Sequence, residues 1–260
     1  MTKPSVLYET RDRVGYVTLN RPDALNAIDE SILSALPGVL ASAAADPAVK
    51  ALTITGNGDV FSVGLDIGLL GRAFDDLAYF RNVLGRFKKL LLDIEAIPLP
   101  VVAAVNGLAR AGGFEIAIAC DLVLVADEAR FGDTHLAYGI VPGGGATQRL
   151  PRLIGRQRAR EIIFSGRWMK GPEVVANGLA LRSLPRTELP SAVEEMVAVF
   201  RTRSRPCLAA TKAAMREGES LPLDEALDVE IDHFIRYLET EPTSREGFRA
   251  SVERREPVWP

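Results

Sequence analysis

Asn106-Gly107-Leu108-Ala109-Arg110-Ala111-Gly112-Gly113-Phe114-Glu115 follows an apolar strand-like run, places paired glycines at a helix entry, and puts a carboxylate in the first turn. Backbone N–H groups at a helix start lack partners within the helix, and glycine lets a ligand oxygen approach them without meeting a Cβ. The stretch predicts an anion site beside a base, able to hold an oxygen that becomes negative during reaction. Taken alone, Gly112-Gly113 also suits a tight helix entry, and a first-turn glutamate also satisfies the helix dipole.

Around it, strand-like runs near 49–55, 100–105 and 121–126 alternate with helical stretches near 75–94, 114–119 and 156–165, which predicts α/β with parallel strands. Val6–Glu9 and Val14–Asn20, around polar Arg11-Asp12-Arg13, predict an opening hairpin. Helical spacing from Asp29 to Ala45 is interrupted by Pro37, which should kink or split that helix. From Ser191 onward the pattern is helical, with segments 191–202, 206–217, 222–239 and 243–254 punctuated by Pro206, Gly218, Pro222 and Pro242. This tail reads as a separate layer.

With 260 residues, 47% of them hydrophobic, the chain can bury a substantial core and is neither disordered nor collagen-like. A net charge of −3 argues against general attraction to nucleic acid or anionic membrane. Arg149, Arg152, Arg156, Arg158 and Arg160 read as a solvated helix face. The polar start, Met1 to Arg13, does not read as a secretory signal, so the mature chain is expected to begin there. The longest apolar stretch, 96–109, is broken by Pro98, Pro100, Asn106 and Gly107 and falls short of the ~20 residues of a membrane helix, so the expectation is a soluble, cytoplasmic protein. Cys120 and Cys207 are too few for a disulfide framework or a zinc site and are expected to be reduced; no metal is expected. Gly143-Gly144-Gly145 lacks the Lys-Ser/Thr ending of a phosphate loop, and Gly56-Asn57-Gly58 lacks the third glycine of a dinucleotide fingerprint.

Phe61-Ser62-Val63-Gly64-Leu65-Asp66-Ile67 lies upstream, after the strand-like run Val49 to Gly56. Downstream come Phe131-Gly132-Asp133 and Gly139-Ile140-Val141-Pro142-Gly143-Gly144-Gly145-Ala146-Thr147-Gln148-Arg149-Leu150. In this order and spacing the segments resemble the enoyl-CoA hydratase/isomerase (crotonase) family. The resemblance extends from Leu19-Asn20-Arg21-Pro22 and Asn26-Ala27 to Glu246-Gly247-Phe248 and Glu253 to Pro257, nearly the whole chain. It implies an α/β crotonase-like spiral of ββα units, with residues 1–190 forming the core and acyl-CoA site. Residues 191–260 would be a helical region for oligomerisation, as a homotrimer or a hexamer of two trimers, and for covering the active site.

The resemblance further implies a lyase that reversibly adds water to a 2-enoyl-CoA thioester through an enolate, with coenzyme A as part of the substrate and no separate cofactor. The N–H groups of Leu65 and Gly112 would form the oxyanion hole, and Glu115 would activate water or abstract a proton. His135 stands where hydratases of the family usually place a second glutamate. Its unperturbed pKa of ~6.5 permits proton donation and acceptance near neutrality, so it could deliver the α-proton. Asp133 and Tyr138 are close enough in sequence to orient it. Ala24, Leu25, Ala27, Val63, Asp66 and Ile67 would meet adenine and pantetheine, with Tyr138 and Gly143 at the acyl pocket. Arg21 and Lys212 are candidate phosphate partners.

Loss of the second glutamate keeps an enoyl-CoA isomerase in view, because one base can shuttle a proton between two carbons. The scaffold also supports decarboxylation, dehalogenation and carbon–carbon cleavage. A non-enzymatic acyl-CoA-binding assembly protein is the alternative from another class. A serine hydrolase would need a nucleophile near His135, and with no Gly-x-Ser-x-Gly elbow only Ser62 is available.

Overall fold

The structure is a computed structural model that describes residues 3–259. The hairpin β1 (Val6–Arg11) and β2 (Val14–Leu19) opens the chain, and α1 (Glu30–Ala45) packs on it. Asp29 caps α1, its carboxylate accepting from the N–H groups of Ser31 and Ile32 at 3.0 Å. Pro37 does not split α1. Ile32, Leu33, Leu36, Leu40 and Ala43 are buried on either side of it, so packing outweighs one missing N–H bond.

Three turns of a spiral follow. The first is β3 (Ala51–Gly56), β4 (Val60–Ser62), α2 (Ile67–Ala73) and α3 (Leu77–Ala96); the second is β5 (Val101–Val105), β6 (Leu108–Arg110) and α4 (Gly112–Ala119). The third runs β7 (Leu122–Ala126), β8 (Phe131–Gly132), α5 (Ala146–Ile154), α6 (Arg156–Ser165) and α7 (Gly171–Ala176), and β9 (Arg182–Leu184) then returns to the first sheet. Each turn gives one strand to a six-stranded sheet of order β1-β2-β3-β5-β7-β9 and one to a three-stranded sheet of order β4-β6-β8. Apart from the opening hairpin, these strands pair in parallel. The sequence explains this: Val101-Val102-Ala103-Ala104-Val105 is buried at every position, as a parallel strand covered on both faces requires.

Phe61 of β4, Phe87 of α3, Phe114 of α4 and Phe131 of β8 belong to one core, each almost wholly buried and each contributing about 1.5–3 kcal/mol. The rings of Phe114 and Phe131 meet at 4.7 Å, tilted by 50°, which ties α4 to β8. Gly113 is pressed against the backbone of Ser62, so a Cβ there would collide with main chain. That close approach lets the first and second turns of the spiral stack.

Four helices end the chain: α8 (Leu189–Arg201), α9 (Arg205–Gly218), α10 (Leu223–Thr240) and α11 (Ser244–Glu253). The first packs on β3, β5 and β7, and buried Lys50 holds its end by donating to the carbonyls of Arg201 and Arg203 at 3.2 and 2.9 Å. The others stand further out. Lys212 tethers α9 to the spiral through Asp121 at 2.6 Å and the carbonyls of Leu99 and Ile94 at 3.0 and 3.2 Å. On α10, Leu223, Leu227, Ile231, Phe234, Ile235 and Leu238 form an exposed apolar stripe at helical spacing. Among the described residues, no helix is long and apolar enough to cross a membrane.

Candidate active site

Glu115 enters from the first turn of α4 and is almost fully buried. Its Oε1 accepts the N–H groups of Gly144 and Ala146, both at 2.9 Å. These amides form the N-terminal edge of α5, so the carboxylate sits at the positive end of that helix. Oε2 receives no hydrogen bond from the described residues and is not sealed from solvent. Burial raises the Glu115 carboxyl above its ordinary value; the Ala146 and Gly144 amides and His135 pull the other way, and Asp133 adds to the rise.

His135 opens a short 3-10 turn, His135–Tyr138, just beyond β8. Its Nδ1 lies 2.9 Å from Oδ1 of Asp133, a carboxylate with no solvent exposure whose Oδ2 has no partner among the described residues. Burial alone would lower the imidazole's pKa, but the hydrogen bond and charge of Asp133, with the charge of Glu115, outweigh it and the net direction is upward; Arg110 opposes.

Gly64 and Gly112 bring the two glycine motifs into contact. Gly64 has φ +87°, and a Cβ there would lie 2.6 Å from Gly112 N. Ala111, before that amide, carries φ +48° and ψ −121°, which an L-residue adopts only under strain. Its N–H is shared between the carbonyls of Gly132 and Asp133 at 3.2 and 3.1 Å, which holds the distortion in place. Neither Leu65 N–H nor Gly112 N–H donates to a protein acceptor among the described residues.

The segment 24–27 joins this wall: Val63 N–H donates to Leu25 O at 3.3 Å, Ile28 N–H to Gly64 O at 2.8 Å and Asp66 N–H to Ile28 O at 2.9 Å. Ala27 is buried, Ala24 and Val63 are half-buried, and Leu25 and Ile67 are exposed. Asp66 caps α2 and pairs with Arg21 at 3.1 Å. Tyr138 is exposed beneath the Arg110 guanidinium, 5.6 Å from the ring centroid. Gly143 packs against Leu84 of α3.

That side holds a cavity of about 1830 Å³ between α3, α5 and α9–α11. Leu77, Phe80, Leu84, Met215 and Trp259 line it, together with Gly143–Gly145 at one end, but not Glu115, His135 or Leu65.

Several residues have roles that sequence reasoning did not assign. The donors to Glu115 come from 29 and 31 residues away, and only the glycine run hinted at them. Arg149, expected on a solvated face, is mostly buried: it pairs with Glu95 at 2.5 Å and donates to Gly144 O at 2.8 Å, bracing the same loop. Arg21 is occupied by Asp29, Asp66 and the Ala27 carbonyl, and Lys212 by its tether, so both candidate phosphate partners are already engaged. Ser62 Oγ is buried and donates to Asn26 O at 2.8 Å, the setting of a structural hydroxyl.

The family model described as enoyl-CoA hydratase/isomerase matches residues 9–260. The chain is similar to the probable enoyl-CoA hydratase echA8 of Mycobacterium bovis, at 33% identity over 259 residues covering 100% of this chain and 99% of that one. It is likewise 33% identical over 256 residues to the crotonyl-CoA hydratase of Syntrophomonas wolfei, covering 98% and 97%. In structure it matches the enoyl-CoA hydratase of Bacillus anthracis with a TM-score of 0.92 at 29% identity over 98% of each chain.

Proposed function

The chain belongs to the enoyl-CoA hydratase/isomerase family, and from that premise we propose that it is an enoyl-CoA hydratase, adding water reversibly across the double bond of a 2-enoyl-CoA thioester. One observation carries this reading: Glu115 is fixed through Oε1 by two amides while, among the described residues, Oε2 has no donor, beside an imidazole and two N–H groups with no protein acceptor. Glu115 takes a proton from water as its oxygen attacks Cβ. The electron pair moves to the thioester oxygen, held by the N–H groups of Leu65 and Gly112; losing one such donor typically costs ~3–4 kcal/mol of transition-state stabilisation. His135 then delivers a proton to Cα as the enolate collapses.

Ala24, Leu25, Ala27, Val63, Asp66 and Ile67 border coenzyme A in this proposal, with Tyr138 and Gly143 at the acyl group. Coenzyme A belongs to the substrate, and no separate cofactor takes part. The apolar stripe on α10 supports assembly of a homotrimer, or of two trimers, through residues 191–260, which would also cover the site built by 1–190. Two free cysteines fit a reducing, cytoplasmic setting.

A second reading, enoyl-CoA isomerase, is favoured by the imidazole at position 135, since one carboxylate can carry a proton between carbons. The test follows water addition and double-bond migration on crotonyl-CoA and on 3-enoyl-CoA substrates. Glu115→Gln should remove either activity. His135→Ala should reduce hydration at least ~10²-fold. Migration without hydration in the wild type selects the isomerase, and binding without turnover selects a non-enzymatic acyl-CoA binder.

A further inference from the structure

Asp133 has no solvent exposure, and His135 is the partner of its carboxylate, through Oδ1 and Nδ1 at 2.9 Å. Between them Thr134 is buried in the left-handed region at φ +53°. The main chain is thus bent where it brings two side chains, two residues apart, to one side. Strain of this kind persists only where the surroundings hold it. Asp133 Oδ2, sealed and without a partner among the described residues, shows that the carboxylate is placed at the expense of its own hydrogen bonding. A buried carboxylate is costly unless a cation or donor faces it. Here the facing group is the imidazole.

We propose that Asp133 is a positioning residue that accepts the Nδ1 proton of His135 and so leaves Nε2 as the ring atom that exchanges a proton with the substrate. This rests on the reading of His135 as the proton donor. As the enolate collapses, the Nε2–H bond breaks and a C–H bond forms at Cα. The ring is left neutral with its proton on Nδ1, still donating to Asp133. The proton that Glu115 took from water then restores Nε2–H, directly or through solvent, and the balance over one turnover is one water added to one double bond. The groups facing the imidazole are Asp133, Glu115 from α4 and Arg110 from β6: two carboxylates against one guanidinium. Their sum favours the charged ring over the neutral one, despite burial. The pair gives position 135 what a protonated glutamate would supply, an acid next to a base, with an imidazole instead of a second carboxyl.

The chain contains two histidines, so its imidazole spectrum has two rings, and His233→Gln assigns them; His233 sits on α10 and pairs with Glu217. Nitrogen-15 NMR of the wild type should show the neutral His135 ring protonated at Nδ1 and titrating above ~6.5. In Asp133→Asn the titration should move down, and hydration should drop roughly tenfold at about pH 8 but less than about threefold near pH 6, with KM changed less than about twofold. A wild-type neutral ring protonated at Nε2 overturns the inference without any variant, whatever the folding of Asp133→Asn. An unchanged His135 titration in Asp133→Asn also overturns it. Full hydration by His135→Ala overturns the proton-donor reading instead, with the hold of Asp133 on the ring still read separately by the spectrum.

Discussion

Gly144 and Glu115 are fitted to each other: a Cβ on Gly144 would lie 2.7 Å from the Glu115 carboxyl carbon and nearer still to Oε2. The same glycine donates its N–H to Oε1 at 2.9 Å. The residue that holds the carboxylate is the residue that must have no side chain.

Gly144→Ala should therefore push Glu115 out of register or break its two amide bonds. The expected loss is at least ~10² in hydration rate, with a stability loss of about 1–3 kcal/mol from overpacking. Paired measurements of turnover and thermal unfolding test it. A near-wild-type rate would mean that the geometry of Glu115 is not critical.

Glu115→Gln should lose at least ~10² in rate yet gain stability relative to the wild type as pH rises. The folded-state pKa of Glu115 lies above its unfolded value because of burial, so the native protein binds the extra proton between the two. Stability contributed by that proton is fully present below the unfolded value of ~4.3 and is lost as pH rises through the folded one. Glutamine carries no such dependence. The difference in Tm between variant and wild type should widen with pH over that window and then level off; a difference independent of pH contradicts this.

Ala111→Gly should stabilise the protein. Relief of strain at φ +48° and ψ −121° is of order 1–3 kcal/mol, against about 0.4–1 kcal/mol of extra freedom gained by the unfolded chain. Chemical denaturation with an unchanged m-value would measure a net gain of roughly 1 kcal/mol. A loss would show that the local geometry is not strained in solution.

Ile231→Glu combined with Phe234→Glu places two charges in the exposed stripe of α10. Sedimentation should show dissociation of the proposed trimer or hexamer, because buried unpaired charge is costly. An assembly that survives both changes does not use this face.

Much of the spiral is legible in the sequence. Val101–Val105 reads as a buried parallel strand because every residue is apolar, and Gly112 and Glu115 are legible because they lie within one contiguous segment. The amides of Gly144 and Ala146 are not legible as partners of Glu115, since their approach depends on how β7, β8 and the turn after them fold back. Helix α5 is not legible either, because it is short and polar and contains Pro151. For Arg149 composition suggests solvent, whereas Glu95 on α3 draws it inward.

Main-chain amides, not side chains, anchor Glu115, and this shapes how the sequence can drift. Any residue except proline supplies an N–H, so position 146 can change identity without releasing the carboxylate, provided that its side chain fits the buried space. Position 144 cannot. Over long divergence exposed positions 147 and 148 should turn over their side chains while the trace of the loop stays fixed, and new substrate preferences can arise there without unmooring the base.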